Sequence, residues 1–109
     1  MRRVEKPWGY EIIWAETVNY VGKILHINAG HRLSKQYHNV KEETLYVLGG
    51  TLCNYGENEE IQRFHPGEVF HVTPGQIHRF GALENDVEVV EVSTPHLDDV
   101  VRLADDYTR

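Results

Sequence analysis

Short runs of β-branched and aromatic residues, each broken within a few positions by glycine, proline or asparagine, leave this chain little room for anything but a sheet-built fold. Residues 10–14, 21–27, 44–48, 51–55, 69–73 and 87–92 alternate in polarity and read as strands. Between them Asn28-Ala29-Gly30, Gly49-Gly50, Gly56-Glu57-Asn58, His65-Pro66-Gly67, Pro74-Gly75 and Glu84-Asn85-Asp86 supply residues that accept tight or left-handed backbone. Many short strands with close turns point to an all-β sandwich or barrel. One helix is expected at the end of the chain. Pro95 stops the last strand there, Asp98 or Asp99 can cap, and Val100, Val101, Ala104 and Tyr107 fall toward one helical face.

With 109 residues the chain can bury one continuous core, so a single domain over 1–109 is expected. Hydrophobic residues make up 40% and charged residues 26%, ordinary for a soluble protein. The formal net charge of -6 argues against nucleic acid as a partner, because phosphate backbones are held by an excess of Lys and Arg. No membrane partner is expected either. Met1-Arg2-Arg3 is followed by no apolar stretch of the kind a secretory signal needs, so the expected location is cytoplasmic. Cys53 is the single cysteine, which excludes an intrachain disulfide and a multi-cysteine zinc site.

Chemistry concentrates in two stretches. Gln36 and His38 are two residues apart, which on a strand puts both side chains on one face, and Glu43 follows beyond a bend. Pro74-Gly75-Gln76-Ile77-His78 would lift His78 opposite that group by a tight turn. Two imidazoles, one carboxylate and one amide oxygen suit one divalent metal ion such as Zn, Mn, Fe, Co or Ni, with positions left open for water or substrate.

The spacing Gly30-x5-Gln36-x-His38-x4-Glu43-x6-Gly50, followed by Gly67-x5-Thr73-x-Gly75-x2-His78, resembles the two motifs of the cupin family. Gln36 stands where many cupins have a histidine, Thr73 where proline is usual, and Ala82 where asparagine is often found. The resemblance implies a double-stranded β-helix, or jelly-roll barrel, with Gln36, His38, Glu43 and His78 as metal ligands. A closer likeness, to the C-terminal cupin domain of type II mannose-6-phosphate isomerases, extends over nearly the whole chain. It rests on Lys6-Pro7-Trp8-Gly9-Tyr10, on the run from Gly30 through Arg32, Leu33 and Ser34 to His38, and on Leu97-Asp98-Asp99-Val100-Val101-Arg102 through Tyr107. Lys35 and Lys41 replace a leucine and an arginine of that domain.

That likeness implies a metal-dependent sugar-phosphate aldose–ketose isomerase, with mannose 6-phosphate and fructose 6-phosphate as the expected pair. From Lys23 to Lys41 every charged residue is basic, which suits a sugar phosphate as partner. Arg32, Lys35 and Arg79 are the expected substrate contacts. For the proton shuttle Lys41 comes first, then His71 on the strand entering the second motif, with Glu43 a third option. His26, His31, His65 and His96 are expected at the surface. The aromatic residues are expected mainly in the core, with Tyr37 facing outward. Exposed sheet surface suggests a homodimer. Two other readings fit the same residues: a metal-dependent cupin oxygenase, and a non-catalytic sugar-binding or regulatory cupin.

Overall fold

A computed structural model describes residues 1–108 of the chain. Eleven strands follow in order: β1 Arg2–Lys6, β2 Gly9–Glu16, β3 Val21–Ile27, β4 Lys35–Tyr37, β5 Glu43–Gly49, β6 Leu52–Tyr55, β7 Ile61–Phe64, β8 Val69–Val72, β9 Phe80–Gly81, β10 Val87–Ser93 and β11 Val101–Ala104. Every pairing is antiparallel. A six-stranded sheet runs β1-β2-β3-β10-β5-β8, a three-stranded sheet runs β7-β6-β9, and β11 pairs with β4. No helix among the described residues is long and apolar enough to cross a membrane.

Alternation decides what each strand gives to the interior. On β10, Val87, Val89, Glu91 and Ser93 are buried while Val92 points to solvent. Leu25 and Ile27 on β3, Leu45 and Val47 on β5, Leu52 on β6, Val72 on β8 and Phe80 on β9 close on them as one core. Trp8, in the turn between β1 and β2, packs against the same cluster. Cys53 is buried beside it, where desolvation raises its thiol pKa, in keeping with a packing role. Gly50 turns β5 into β6 at φ +73°, and a Cβ there would meet the Asp86 carbonyl oxygen at 2.2 Å, so only glycine fits.

The C-terminal helix does not form. Val101–Ala104 is extended and pairs with β4, setting Val101 against Tyr37 and Arg102 against Gln36. The residue expected to cap a helix is engaged elsewhere: the Asp99 carboxylate accepts the backbone N–H groups of Asn39, Val40 and Lys41 at 2.7–3.0 Å. A helical spacing of apolar residues was thus outweighed by an open strand edge and a loop with unsatisfied donors. The short or charged strands β1, β7 and β9 are not marked by the sequence either, whereas β4 carries the strand spacing read for Gln36 and His38. On β1 the charged sequence Arg-Arg-Val-Glu-Lys suits an edge strand.

Candidate metal centre

Backbone pairing brings the two motifs face to face. Gln36 N–H donates to the His78 carbonyl at 3.0 Å and His78 N–H donates back to the Gln36 carbonyl at 2.9 Å. Gly75, at φ +82° after Pro74, donates its N–H to the His38 carbonyl at 2.7 Å. Glu43, the first residue of β5, faces inward opposite Ser93 of β10 and Val72 of β8.

The imidazoles of His38 and His78 and the carboxylate of Glu43 converge, with one donor atom from each lying within 4.8 Å of the others. Glu43 Oε1 is 3.4 Å from His78 Nε2 and 3.6 Å from His38 Nε2. Ligand atoms about 2.1 Å from one tetrahedral ion would stand about 3.4 Å apart, so these gaps match the span of a shared ion. Both rings are aimed by their other nitrogen. His38 Nδ1 bonds the Asp99 carbonyl and His78 Nδ1 bonds the Gln76 carbonyl. A carbonyl can only accept, so each Nδ1 carries the proton and each Nε2 keeps its lone pair for the centre. His38 Nε2 is buried without a hydrogen-bond partner, which a metal ion would supply. Gln36 lines the same cavity; its amide nitrogen donates to the Ser34 hydroxyl and carbonyl, which leaves the amide oxygen as a further donor atom. The residues present therefore fit one divalent ion.

Charge around the triad is dense and buried. Lys41 Nζ lies 3.1 Å from Glu43 Oε2 and 3.4 Å from Glu91 Oε2. Burial works to lower the Lys41 ammonium, but the charges of Glu91 and Glu43 outweigh it and leave its pKa raised. Burial likewise works to raise Glu43, and the close His38 and His78 rings with the Lys41 charge hold it well below the usual carboxylate range. Glu91 goes the other way: desolvation first, then the Glu43 charge, lift it to about 7 against Lys41 and Lys23. Desolvation opposes protonation of His38, yet the nearby Glu43 carboxylate and the hydrogen bond to the Asp99 carbonyl leave its pKa raised.

A cavity of about 270 Å³ opens over these groups, bounded by the six-stranded sheet, the metal-facing side of β4 and the C-terminal segment through Leu97, Val100 and Arg102. Lys41 lines it, as does Glu91, which the motif spacing did not single out. The signal for Glu91 was present: it shares parity with Val87 and Val89, so the strand that buries those valines must bury an acid.

Four expected site residues stand elsewhere. His71 lies between inward-facing Phe70 and Val72, so it points outward, paired with Glu42 at 2.8 Å and bonded to the Thr44 hydroxyl. Arg79 lies between inward-facing His78 and Phe80; its buried guanidinium donates to the Leu33 carbonyl and to Asp106 at 2.9 Å. Arg32 precedes the regular strand and holds Asp106 through two hydrogen bonds of 2.6 and 3.1 Å. Lys35 alternates with Gln36 and donates to the Glu57 carbonyl at 2.6 Å. The three cations thus bind the C-terminal segment and a turn, because strand parity directs them away from the ligand side. Of the other histidines, His26 is largely covered, stacked 4.8 Å from Tyr10, and His31 bonds the Tyr107 hydroxyl at 2.7 Å. His65 and His96 are exposed, and Tyr37 is half-buried.

The profile of the Cupin domain matches residues 23–93, and the chain belongs to that family. No curated protein matches the chain. Among solved structures it is similar to KdgF from Halomonas sp., with 23% identity, a TM-score of 0.77, and 87% of this chain covering 88% of that one. A cupin-like protein from Thermotoga maritima superposes with a TM-score of 0.78 at 18% identity, over 88% of this chain and 76% of that chain. A sugar phosphate isomerase of the cupin superfamily from Silicibacter pomeroyi superposes with a TM-score of 0.70 at 15% identity, over 78% of this chain and 58% of that chain. At these identities the likeness is one of fold.

Proposed function

We propose that the chain is a metal-dependent aldose–ketose isomerase acting on a small sugar phosphate, with mannose 6-phosphate and fructose 6-phosphate as the leading pair. The observation that carries this reading is the convergence of His38 Nε2, His78 Nε2 and Glu43 Oε1 at the floor of a cavity that also holds a buried lysine and a second buried acid. The likeness to the mannose-6-phosphate isomerase domain, in the motifs from Lys6 to Tyr10, Gly30 to His38 and Leu97 to Tyr107, supports the substrate. The fold shared with a sugar phosphate isomerase from Silicibacter pomeroyi agrees with it.

A divalent ion held by His38, Glu43, His78 and Gln36 supplies a Lewis acid for neighbouring carbonyl and hydroxyl oxygens. The reaction takes a proton from C2 of the aldose, returns one to C1, and moves the hydroxyl proton from O2 to O1, with no external oxidant or reductant. Lys41, held protonated between two acids, is placed to stabilise negative charge that develops on oxygen and to donate a proton there. Glu91, whose carboxyl is buried beside it, is the group placed to take and return the carbon-bound proton. Since His71 faces solvent, that pair takes the place of the pair Lys41 and His71 expected from sequence.

Purified protein should convert mannose 6-phosphate to fructose 6-phosphate, lose the activity on chelation, and regain it when a single divalent metal is restored. His38→Ala should abolish it. Stoichiometric metal binding with no turnover of any hexose phosphate would overturn the isomerase reading and leave a sugar-binding cupin.

A further inference from the structure

Ser34 stands two residues before Gln36 and four before His38, and all three side chains line the cavity, as the two-residue period of extended chain requires. Ser34 is 1% exposed, and a hydroxyl so deeply buried is costly unless it is hydrogen-bonded. Among the described residues its side chain has one partner, the Gln36 amide, whose Nε2 donates to the Ser34 Oγ at 3.3 Å and to the Ser34 carbonyl at 3.4 Å. The two ends of an amide are nearly the same in shape, so hydrogen bonds rather than packing choose between them. A carbonyl only accepts, which makes the end facing Ser34 the nitrogen end. The amide oxygen is left with no hydrogen-bond partner among the described residues. Ser34 is itself held from both sides. Leu33 donates its N–H to the Phe80 carbonyl at 2.8 Å, and its carbonyl accepts from Arg79 Nε at 2.9 Å. Arg79 is buried and bound in turn to Asp106, while Gln36 exchanges two backbone hydrogen bonds with His78. A hydroxyl fixed in this frame is a fixed reference for the amide that touches it.

An amide binds a metal ion through its oxygen, since its nitrogen is a donor of hydrogen bonds only. The orientation of Gln36 therefore decides whether the centre has three protein donors or four. We infer that Ser34 is a positioning residue that turns the amide oxygen of Gln36 toward His38, Glu43 and His78, completing a donor set of two nitrogens and two oxygens. Without the hydroxyl, only the longer contact with the Ser34 carbonyl would hold the nitrogen end away from the centre. Arg79, whose side chain faces away from the cavity, reaches the same ligand through the backbone by bracing Leu33. The assignment rests on the metal centre that the isomerase reading also uses, and it is tested by metal binding rather than by turnover.

The test loads metal-free protein with cobalt(II), whose visible absorption reports the number and kind of its donors, and measures affinity by competition with a chromophoric chelator. Gln36→Ala should weaken cobalt binding and alter the spectrum as water replaces the amide oxygen. Ser34→Ala should weaken cobalt binding about tenfold, the scale of losing a group that orients a ligand, and move the spectrum toward that of Gln36→Ala. In the Gln36→Ala background, Ser34→Ala should cost nothing further. Lys35→Ala, between the two in sequence but outside the cavity, should leave both readouts unchanged, and melting temperatures would show that each variant is folded. A Ser34→Ala protein with the affinity and spectrum of wild type would overturn the assignment. So would an equal loss from Ser34→Ala with and without Gln36, since the serine would then act by another route. A Gln36→Ala spectrum identical to that of wild type would overturn it as well, since the amide would not be a donor. Wild type that binds no cobalt would overturn the assignment and the isomerase reading together, whereas the expected differences in cobalt binding without turnover of any hexose phosphate would overturn the isomerase reading alone.

Discussion

Lys41 and Glu91 show how much a single side chain carries in so small a barrel. Lys41 separates two buried carboxylates, and Lys41→Met would leave Glu43 and Glu91 facing each other with no cation between them. A loss of about 3–5 kcal/mol is expected, as for breaking any buried ion pair from one side. The double variant Lys41→Met/Glu91→Gln should lose less than the sum of its singles in urea unfolding; strict additivity would mean that the groups do not interact. Glu91 also sets a pH dependence. With its folded pKa lifted to about 7, it binds a proton that the unfolded chain has already released above the ordinary value of 4.5. That contribution is complete below the ordinary value and is lost as pH rises through about 7. In metal-free protein, Glu91→Gln should therefore gain stability relative to wild type between about pH 5 and 8. A constant difference across that range would refute the assignment. Glu43→Gln is expected to reduce bound metal from one ion per chain to a small fraction, read by elemental analysis.

At the scale of elements, the C-terminal segment acts as a strap against the candidate metal centre. Asp99 binds the loop 39–41 through its carboxylate and His38 through its carbonyl, while Asp106 joins Arg32 and Arg79. The Asp99 carboxyl, held at about 2 by its three backbone donors, favours the closed loop above the ordinary carboxylate range and releases it only in strong acid. Asp99→Ala should weaken metal binding about tenfold by freeing the loop that orients His38, measured by competition with a chromophoric chelator. Unaltered affinity would show that the strap is dispensable to the centre. Asp106→Asn should cost about 1–2 kcal/mol at neutral pH, discounted for the partial exposure of Asp106, because the buried Arg79 guanidinium loses its carboxylate. The Asp106 pKa is lowered by its hydrogen bond from Arg32 and by the two guanidinium charges, so its contribution is present above the ordinary value and is lost as pH falls through the lower folded pKa. Wild type and Asp106→Asn should converge in melting temperature on acidification below about pH 4.

At the scale of the whole molecule, the described residues leave the outer side of the six-stranded sheet open. Across the outer side of the six-stranded sheet, Ile12, Ile24, Val90, Tyr46 and Val69 lie in one cross-strand row, with Trp14, Leu48 and Val92 near it. Trp14, Leu48, Val69 and Val92 are about half exposed. Six strands at about 4.8 Å spacing give a face about 24 Å across, and two such faces pressed together would bury on the order of 1,000 Å², near the lower limit for a specific interface. A second copy related by a two-fold axis meets the row with the same apolar row, so this face is the one on which the homodimer expected from sequence would form. Sedimentation should return twice the chain mass, and Tyr46→Lys should return the monomer at unchanged melting cooperativity; a monomeric wild type at high concentration would dismiss the dimer.

Local order in the chain already specified the sheet-built fold, the long central strands and the residues of the metal triad. Those properties depend on alternation, on turn residues and on ligand types at short spacing, all of which act between near neighbours. The residues from Gln36 to Glu43 and from Gly75 to His78 carry their own geometry, and three backbone hydrogen bonds join them. Tertiary structure alone decided the rest. Whether 101–104 became helix or strand depended on the open edge of β4, more than sixty residues earlier in the chain, and on a loop that claimed Asp99. Whether a titratable side chain entered the cavity depended on the parity of its strand, which turned Arg79 and His71 away while admitting Lys23 and Glu91. Charge type is written residue by residue, but the side of the sheet on which a charge falls is set by register, and register is a property of the assembled barrel.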